Sequence, residues 1–482
     1  MASDLRPRLI RVGQPPAPGI VHFGPGAFFR AFNAIYTHDA MAEAGGDWGI
    51  VAVSLKSEKA RTQLAPQGGV YTAVERGFEG DTPSLITSVT DVMVAPEDPQ
   101  AVLDVLVDPR IRIVSLTVTE KGYGHDPASG QLDFGDADIA ADLNSQMAPS
   151  SVLGLLVAAL GLRRAANTPP FTVLSCDNLP ANGKLTRQLV VEFARHLDPE
   201  LAAWIDGNVA FPSTMVDRIT PATTDADREA LSNRTGTRDL AAVFHEPFRQ
   251  WVIEDDFPTG RPAWEKAGAQ FVSNVEAHET MKLRCLNGTH SALAYLGFLA
   301  GHDTIAETIA APGFAEFCQH LWQYEILPTV PLPEGEDLAA YTDQLLTRYR
   351  NPNIRHRTWQ IAMDGSQKLP QRILAPIREN LARGGLPEGL CLVVAAWMRY
   401  VGGTDEGGHT IDVRDPLAAR LKEASCSAPD SAGKVAGLLN VAEVFGSDLP
   451  QSEMFRETVL KGFQRLLDEG AGATVAGFDH TA

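Results

Sequence analysis

Cysteine is scarce in this sequence of 482 residues, which contains five, and no two of them are close enough to form a CxxC pair. Closely spaced cysteines and histidines are the usual signature of a structural zinc site, and a dense, even set is typical of small disulfide-bonded domains. The sequence suggests neither, so we predict no bound metal. A sparse, odd set of cysteines is typical of the reducing cytoplasm.

Long apolar runs and an excess of positive charge are also missing. The longest apolar stretches, 151–162 and 390–397, are too short to span a bilayer, and the N-terminal residues lack the apolar run of a signal peptide. The formal net charge of −19 repels phosphate backbones and anionic lipids. We therefore expect a cytoplasmic protein whose partner is a small molecule rather than nucleic acid or a membrane.

The chain is too long for one hydrophobic core, which stops growing at roughly 250–300 residues. The first part alternates helical segments with β-branched runs, namely 20–23, 49–55, 70–75, 84–92, 111–119 and 171–176. Such alternation is typical of a parallel α/β sheet. The remainder is rich in Leu and Ala at helical spacing. We predict an α/β domain over 1–280 and a mostly α-helical domain over 281–482, packed tightly together.

One segment, IVHFGPGAFFR, has the pattern of a strand, a glycine turn and a helix start. Its glycines match the first two of a dinucleotide-binding fingerprint, which allow a tight turn and the approach of the backbone to a pyrophosphate. Phe29 stands where the third glycine would be. Four residues are expected to bind the cofactor: Gly24, Gly26, Ala27 and Phe28. An ordinary strand-to-helix turn is the alternative.

A carboxylate that bonds the ribose hydroxyls is expected at the end of the second strand. Glu58 is the only acid in the segment 54–59, and Lys56 and Lys59 flank it. We predict that NAD is the cofactor and that it is bound through Glu58. NADP remains open, because either lysine could instead meet a 2′-phosphate.

Another segment, ETMKLRCLNGTHS, carries the densest chemistry of the chain. On an α-helix, Glu279, Lys282, Asn287 and His290 fall within an arc of about 140°. A buried lysine has a lowered pKa that suits a general base, an asparagine amide can donate to a developing oxyanion, and a histidine can orient a hydroxyl. In the structural alternative, Lys282 and Arg284 are solvated and His290 is a hydrogen-bonded core residue.

The acid–base groups of other dehydrogenase classes are missing. None of the eight tyrosines is followed by a lysine four residues later, so the chain lacks the Tyr-xxx-Lys pair of short-chain dehydrogenases. No cluster suggests zinc. Because hydroxyl–carbonyl redox chemistry needs an acid–base group or a Lewis acid, Lys282 is the best remaining base if the protein transfers hydride.

Together these residues resemble the mannitol dehydrogenase family, the polyol-specific long-chain dehydrogenases. The similarity runs from Gly24 to about Pro450. It is specific because the motif K-x(4)-N-x(2)-H of the lysine segment occurs together with SCDN at 175–178 and MVDR at 215–218. The resemblance implies an expanded Rossmann-like N-terminal domain, a mostly α-helical C-terminal domain, a site in the cleft between them, and a monomer.

The resemblance also implies roles for individual side chains. The family's functional residues correspond here to a general base at Lys282, oxyanion-stabilising amides at Asn178 and Asn287, ligands for substrate hydroxyls at His290 and Asp217, proton-relay glutamates at Glu120 and Glu279, and a ligand for the far end of the substrate at Lys368. Asn178 is also expected beside the cofactor. Phe29 and Phe32 stand where family members commonly have histidine, a departure that bears on cofactor preference and substrate.

Two stretches look more like fructuronate reductases (mannonate oxidoreductases) than mannitol 2-dehydrogenases. The first, 117–123, has Lys121 where mannitol enzymes tend to have glycine, and the second, 355–368, has Gln360 where they tend to have arginine. Four cations of these stretches could clamp a carboxylate that a neutral polyol lacks: Lys121, Arg355, Arg357 and Lys368. A solvated or salt-bridged loop is the alternative for the arginines.

The resemblance thus predicts a metal-independent, NAD-dependent oxidoreductase that interconverts a secondary alcohol and a ketone on an open-chain sugar acid or sugar alcohol. D-Fructuronate and D-mannonate are the preferred substrate pair. D-Mannitol and D-fructose, or another polyol of the family, are the close alternative. A non-catalytic dinucleotide-binding protein and a zinc-dependent dehydrogenase are the alternatives from other classes.

Overall fold

The computed structural model describes residues 6–126, 129–144 and 149–479. The chain folds into two compact units, Met1–Glu276 and Ala277–Ala482. None of the helices in the described ranges combines the length and the apolar character needed to cross a membrane.

The strands of the described chain all belong to the first unit and form three sheets. They are β1 (Pro18–Phe23), β2 (Gly49–Ser54), β3 (Tyr71–Gly77), β4 (Gly80–Ile86), β5 (Val89–Val94), β6 (Ile113–Leu116), β7 (Thr172–Ser175), β8 (Thr214–Asp217), β9 (Val243–His245), β10 (Gln250–Glu254) and β11 (Gln270–Val272). The large sheet has the order β5-β2-β1-β6-β7, and the two small sheets have the orders β4-β3-β9 and β11-β10-β8.

All pairings in the large sheet are parallel. Counted by their succession in the chain, its strands run 3-2-1-4-5, which is the order of a Rossmann sheet without the sixth strand. Successive residues of β1, such as Ile20 and Val21, point to opposite faces and enter different hydrophobic clusters, so apolar packing covers both faces of the sheet. The sheet confirms the predicted Rossmann-like α/β fold of the N-terminal part.

The predicted strand over 84–92 is wrong, because β4 ends at Ile86 and β5 begins at Val89. The side chains of the two residues between them bond to residues 34 and 38, which belong to a helix. The Ser88 hydroxyl donates to the Ala34 carbonyl oxygen at 2.7 Å, and the Thr87 hydroxyl lies 3.2 Å from Nδ1 of His38. The chain thereby leaves a small antiparallel hairpin and enters the parallel sheet.

Helices connect the strands of the first unit. The α-helices are Ala27–Ala31, Asn33–Ala44, Lys59–Leu64, Pro99–Val107, Ala137–Asn144, Val152–Ala165, Asn182–Leu197, Pro199–Asn208 and Asp225–Thr235, and the 3-10 helices are Ala65–Gln67, Glu120–Tyr123 and Trp264–Ala267. The sequence predicts one helix over 27–44, but Phe32 interrupts it with φ −134° and ψ −85°. The Phe32 side chain is buried against Tyr36 and Trp251.

The second unit is helical, as predicted. Its helices are Glu276–Met281, Lys282–Gly288, Thr289–Leu299, Ile305–Ala310, Phe314–His320, Leu321–Ile326, Leu327–Thr329, Leu338–Tyr349, Thr358–Ala362, Gly365–Leu369, Pro370–Leu374, Ala375–Ala382, Glu388–Val401, Ala418–Ser425, Ser431–Leu439, Ala442–Phe445, Leu449–Gln451, Glu453–Asp468 and Ala471–Ala476. Thr289–Leu299 and Glu388–Val401 are buried almost throughout and form the centre of one hydrophobic core.

Candidate active site

Gly24 directly follows β1 and has a conformation that only glycine adopts easily, with φ +91°. A Cβ atom at this position would overlap the carbonyl oxygen of Thr117. Thr117 follows β6 and donates its hydroxyl to the Gly24 carbonyl oxygen at 2.8 Å. Gly24 is therefore required by the close approach of two chain segments at the point where the strand order reverses, which is where doubly wound sheets bind ligands.

Gly26 differs from Gly24, because the fold itself does not require it. Its backbone is extended, and the nearest atom to a Cβ built there is the Gly24 carbonyl oxygen at 3.8 Å. It caps the helix Ala27–Ala31 without a side-chain hydrogen bond to the first turn. The N–H groups of Gly24 and Gly26 are bonded within the sheet and the turn, so the donors available to a phosphate group are those of the helix start at Ala27, and the exposed Gly26 puts no side chain in front of them.

The residues that follow the glycine turn pack against β1 and its neighbours. Phe29 is fully buried, and its ring stacks on that of His22 at 3.8 Å between centroids. His22 in turn bonds the hydroxyls of Ser115 at 2.8 Å and Thr117 at 2.9 Å. Burial lowers the pKa of His22 to about 3, so this histidine is neutral and structural. Phe28, expected at the cofactor, is half-buried and stacks on Phe32.

Sequence reasoning missed Arg30, which is buried directly behind the glycine turn. Its Nη1 donates to the Pro25 carbonyl oxygen at 2.9 Å, and its own carbonyl oxygen accepts the Tyr71 hydroxyl at 2.6 Å. Burial lowers the pKa of Arg30. An arginine inside an apolar segment was the available signal, but its partner on β3 is distant in the chain.

The charged residues after β2 are exposed. Glu58 lies 3.3 Å from the Arg61 guanidinium, which also pairs with Glu97, and Lys56 lies 3.6 Å from Asp138. Arg61 was not among the predicted cofactor ligands. The two acids beside it leave the end of β2 without an excess of positive charge, which is compatible with a ribose hydroxyl at Glu58.

The SCDN motif follows β7, and its Asp177 organises the neighbouring loop. The carboxylate accepts the N–H groups of Val118 at 2.9 Å and Thr119 at 3.0 Å, and the hydroxyl of Tyr123 at 2.9 Å. Thr119 has the unusual φ of +68°. Burial raises the pKa of Asp177, while these donors oppose the shift. The sequence places Asp177 in the SCDN motif but predicts no role for it.

Three of the predicted site residues lie in this loop or in the SCDN motif. Asn178, next to Asp177, is exposed. Glu120 and Lys121 begin the 3-10 helix Glu120–Tyr123 and are also exposed. The Asp177 contacts therefore hold Asn178 and the start of that helix in fixed positions relative to each other.

Asp217 is the last residue of β8 and is buried. Arg218, which follows it, is buried as well and donates to the carbonyl oxygens of Ala31 at 2.9 Å and Glu246 at 3.1 Å. Burial lowers the pKa of Arg218 to about 10. The MVDR motif thus joins the strand end that carries Asp217 to the helix behind the glycine turn.

The segment of Lys282 in the second unit is not a regular α-helix. Glu276–Met281 is α-helical, Lys282–Gly288 is a π-helix, and Thr289–Leu299 is α-helical again. The predicted α-helical arc is therefore wrong between Lys282 and Asn287. A π-helix bonds residues five apart, so these two residues lie next to each other on successive turns. Single π-helical turns occur frequently at functional sites.

Lys282 is buried, with 8% of its surface exposed, and this rules out the solvated alternative. Glu279, one turn earlier, and Asn287 are half-buried. Arg284 is not solvated either, because its guanidinium pairs with Glu379 at 2.6 Å and donates to the Thr329 carbonyl oxygen at 2.5 Å. Within the π-helix, Lys282 is therefore buried, whereas Arg284 forms a separate ion pair with Glu379.

His290 is buried beside Tyr349 and His356, with ring centroids at 4.8 Å and 5.0 Å. Burial holds the pKa of His290 well below its usual range, and cationic neighbours add to the shift. Its Nε2 has no hydrogen-bond partner in the described part of the chain. The alternative of a fully hydrogen-bonded core histidine is therefore wrong.

The three predicted clamp cations of this unit differ in environment. Lys368 is half-buried and donates to the Met363 carbonyl oxygen at 2.6 Å, whereas Arg355 and Arg357 are exposed. Among the described residues, no three His, Cys, Asp or Glu side chains are grouped in a way that could hold a metal ion.

Comparison with known proteins places both units in one group. Residues 18–266 match the family described as the mannitol dehydrogenase Rossmann domain, and residues 274–467 match the mannitol dehydrogenase C-terminal domain. The chain is 47% identical to the D-mannonate oxidoreductase of Escherichia coli (strain K12), with 95% of each chain covered. It is 40% identical to the mannitol 2-dehydrogenase of Pyrenophora tritici-repentis, covering 95% of this chain and 81% of that protein.

A solved structure is similar as well. The ternary complex of Pseudomonas fluorescens mannitol 2-dehydrogenase with NAD and D-mannitol superposes with a TM-score of 0.84 at 40% sequence identity. The superposition covers 95% of this chain and 94% of that one.

Proposed function

Because the chain belongs to the mannitol dehydrogenase family, we propose that it is an NAD-dependent dehydrogenase that interconverts D-fructuronate and D-mannonate. The observation that carries the reaction type is the buried Lys282 at the start of a π-helix that also holds Asn287. The choice of substrate is supported by the higher identity to a D-mannonate oxidoreductase, 47%, than to a mannitol 2-dehydrogenase, 40%.

The residues around the first glycine turn fit NAD. The open backbone at Gly26 and the uncapped helix start at Ala27 would receive the pyrophosphate, with Phe28 beside them, and Glu58 would accept a ribose hydroxyl. When bound, NAD supplies or accepts the hydride. NADP remains the alternative, because Lys56, Lys59 and Arg61 are close to Glu58 in sequence or in space.

In the proposed mechanism Lys282 moves the proton. During oxidation its neutral amine takes the proton of the substrate hydroxyl while the carbon loses hydride, and during reduction the ammonium returns that proton to the ketone oxygen. The amides of Asn178 and Asn287 donate hydrogen bonds to this oxygen as negative charge develops on it. Glu279 and Glu120 pass the proton between Lys282 and solvent.

The remaining assignments concern the rest of the substrate chain. His290 and Asp217 bond its hydroxyls, and Lys368 contacts its far end. His290 suits this role because its Nε2 is buried and has no partner among the described residues.

The test of the substrate is a panel of purified ketoses and ketouronates assayed with NADH and with NADPH. We expect D-fructuronate with NADH to give the highest kcat/KM. Higher kcat/KM for D-fructose would identify a mannitol 2-dehydrogenase, which the similarity to the complex with D-mannitol favours as the second candidate. Binding of NADH without turnover of any compound would support the non-catalytic alternative. Loss of activity on dialysis against a chelator would point to the zinc-dependent alternative.

The test of the mechanism is Lys282→Ala. We expect turnover to fall by roughly 10²–10⁴-fold, the usual contribution of a positioned acid–base group. The matched control is Lys461→Ala, which removes an exposed lysine from another helix of the same unit. Wild-type turnover in a folded Lys282→Ala enzyme would reject the assignment of the base.

A further inference from the structure

Two histidines of the second unit, His290, which is buried, and His356, which is half-buried, form a pair whose hydrogen bonds are incomplete. The rings of His290 and His356 lie 5.0 Å apart at 84° to each other. Nε2 of His290 and Nδ1 of His356 have no hydrogen-bond partner within the described ranges. Because native proteins rarely leave a buried polar atom unbonded, two such atoms on neighbouring rings indicate a ligand that supplies the missing partners.

Cationic side chains approach this pair from two other segments. Arg348 is buried near the end of the helix Leu338–Tyr349, and the ring of the next residue, Tyr349, lies 4.8 Å from that of His290. Arg372 belongs to another π-helix of this unit, Pro370–Leu374, and its Nη1 lies 3.4 Å from the hydroxyl of Ser291. Both arginines lie close enough to His290 for their positive charge to lower its pKa.

The position of Arg372 depends on the π-helix Lys282–Gly288, which packs against the helix Pro370–Leu374. A Cβ built on Gly288 would lie 3.2 Å from the Arg372 carbonyl oxygen, so the glycine that ends Lys282–Gly288 allows the two π-helices to pack closely. This contact fixes Arg372 relative to the segment that carries His290. Arg372 is thereby packed against the helical segment that also carries His290, the proposed ligand of the substrate.

The electrostatics around the pair favour an anion. Burial lowers the pKa of His356 to about 4, with Arg348 and Lys368 adding to the shift, and Arg348 and Arg372 act in the same direction on His290. Both rings are thus neutral at physiological pH, while the positive charge stays on the arginines and the lysine. Neutral rings can orient hydroxyls, whereas Arg348, which is buried, and Arg372 and Lys368, which are half-buried, favour a carboxylate as the ligand.

We propose that Arg348 and Arg372 bind the carboxylate of the sugar-acid substrate and so determine the preference for ketouronates over ketoses. The assignment rests on the proposed function for the reaction itself. It replaces the exposed Arg355 and Arg357 of the predicted clamp by two arginines that act electrostatically on His290.

The test compares Arg372→Gln and Arg348→Gln with the wild type on D-fructuronate and on D-fructose, each with NADH. We expect kcat/KM for D-fructuronate to fall at least 10-fold, mainly through KM, while that for D-fructose changes less than about 3-fold. The matched control is Arg350→Gln, which removes an exposed arginine two residues from Arg348. An equal fall on both substrates would overturn the proposal, as would a selective fall in Arg357→Gln but not in Arg372→Gln.

Arg348 is buried, so its replacement can also affect folding. Arg348→Lys and Arg372→Lys keep the charge but lose the planar guanidinium, and we expect both to recover part of the D-fructuronate activity. Equilibrium binding provides a readout that does not need turnover. With NAD present, the wild type should bind D-mannonate more tightly than D-mannitol, and Arg372→Gln should remove that difference.

The two proposals fail in distinguishable ways. If the wild type turns over none of the panel, the proposed function is wrong, and the comparison of D-mannonate with D-mannitol binding still decides the role of the arginines. If the wild type reduces D-fructuronate but Arg372→Gln and Arg348→Gln reduce it equally well, the function stands and the arginine assignment is wrong.

Discussion

At the scale of single residues, the two glycines of the first turn have separate causes. Gly24 is dictated by the fold, through its positive φ and the adjacent Thr117 carbonyl, whereas a Cβ on Gly26 would meet, among the described residues, only the Gly24 carbonyl oxygen at an ordinary contact distance of 3.8 Å. A side chain at the first position must disturb folding, and one at the second must disturb a ligand. A pair of substitutions to alanine separates these effects.

We expect Gly24→Ala to lower the melting temperature substantially, because the new Cβ meets backbone that cannot move without separating β1 from β6. Gly26→Ala should leave the melting temperature nearly unchanged and weaken NADH binding at least 10-fold. Thermal unfolding and titration of NADH fluorescence measure the two quantities. Equal effects of both substitutions on stability, with unchanged binding, would contradict a pyrophosphate at this turn.

The residues that could be predicted from the sequence and those that could not differ in how far along the chain their partners lie. The glycine turn and the lysine segment are recognisable because each is a local pattern. Arg30 and Asp177 are not, because the partners that define them, Tyr71 and Val118, come from other elements. The relevant interactions exist only after the sheet has brought those elements together.

At the scale of elements, periodicity predicted the helix of Lys282 but not its π-helical turn. Apolar spacing reports which face of a helix is buried, and a local change in hydrogen bonding from four to five residues leaves this spacing almost intact. Phe32 is a similar case, since the break it makes depends on packing against Trp251. The rest of the second unit, with its strongly apolar helices, follows the predicted pattern.

The loop after β6 gives a prediction at the same scale. The Asp177 carboxylate accepts hydrogen bonds from backbone N–H groups of this loop. Thr119 has a positive φ, which is unfavourable for a β-branched residue. We expect Asp177→Asn to lower the free energy of unfolding by about 1–3 kcal/mol, because an amide cannot replace a carboxylate that accepts three hydrogen bonds. Thr119→Gly should raise it by up to about 1 kcal/mol through relief of strain.

Urea unfolding of both variants measures these changes. The opposite signs are the essential result, because a loop whose conformation did not depend on the Asp177 contacts would respond to neither substitution. A loss of stability in Thr119→Gly equal to that in Asp177→Asn would contradict the interpretation of strain.

At the scale of the whole molecule, acid stability is expected to depend on buried neutral histidines. Burial lowers the pKa of His22 and of His245 from 6.5 to about 3 in each case. As the pH falls below 6.5 the unfolded chain takes up protons that the folded chain cannot accept until about pH 3. Each histidine therefore removes about 1.4 kcal/mol of stability per pH unit across this window.

Between pH 6.5 and 4.5 the two histidines together remove about 5 kcal/mol, which is comparable to the total stability of many proteins. Carboxylates such as Asp448, whose pKa the Arg378 guanidinium lowers from 3.8 to about 2, lose their contribution only at lower pH. The slope of unfolding free energy against pH in this window should therefore fall by about one proton in His22→Asn. His245→Asn should lower the slope by the same amount, because burial lowers the pKa of both histidines to about 3. An unchanged slope in His22→Asn would mean that this histidine does not resist protonation in the folded state.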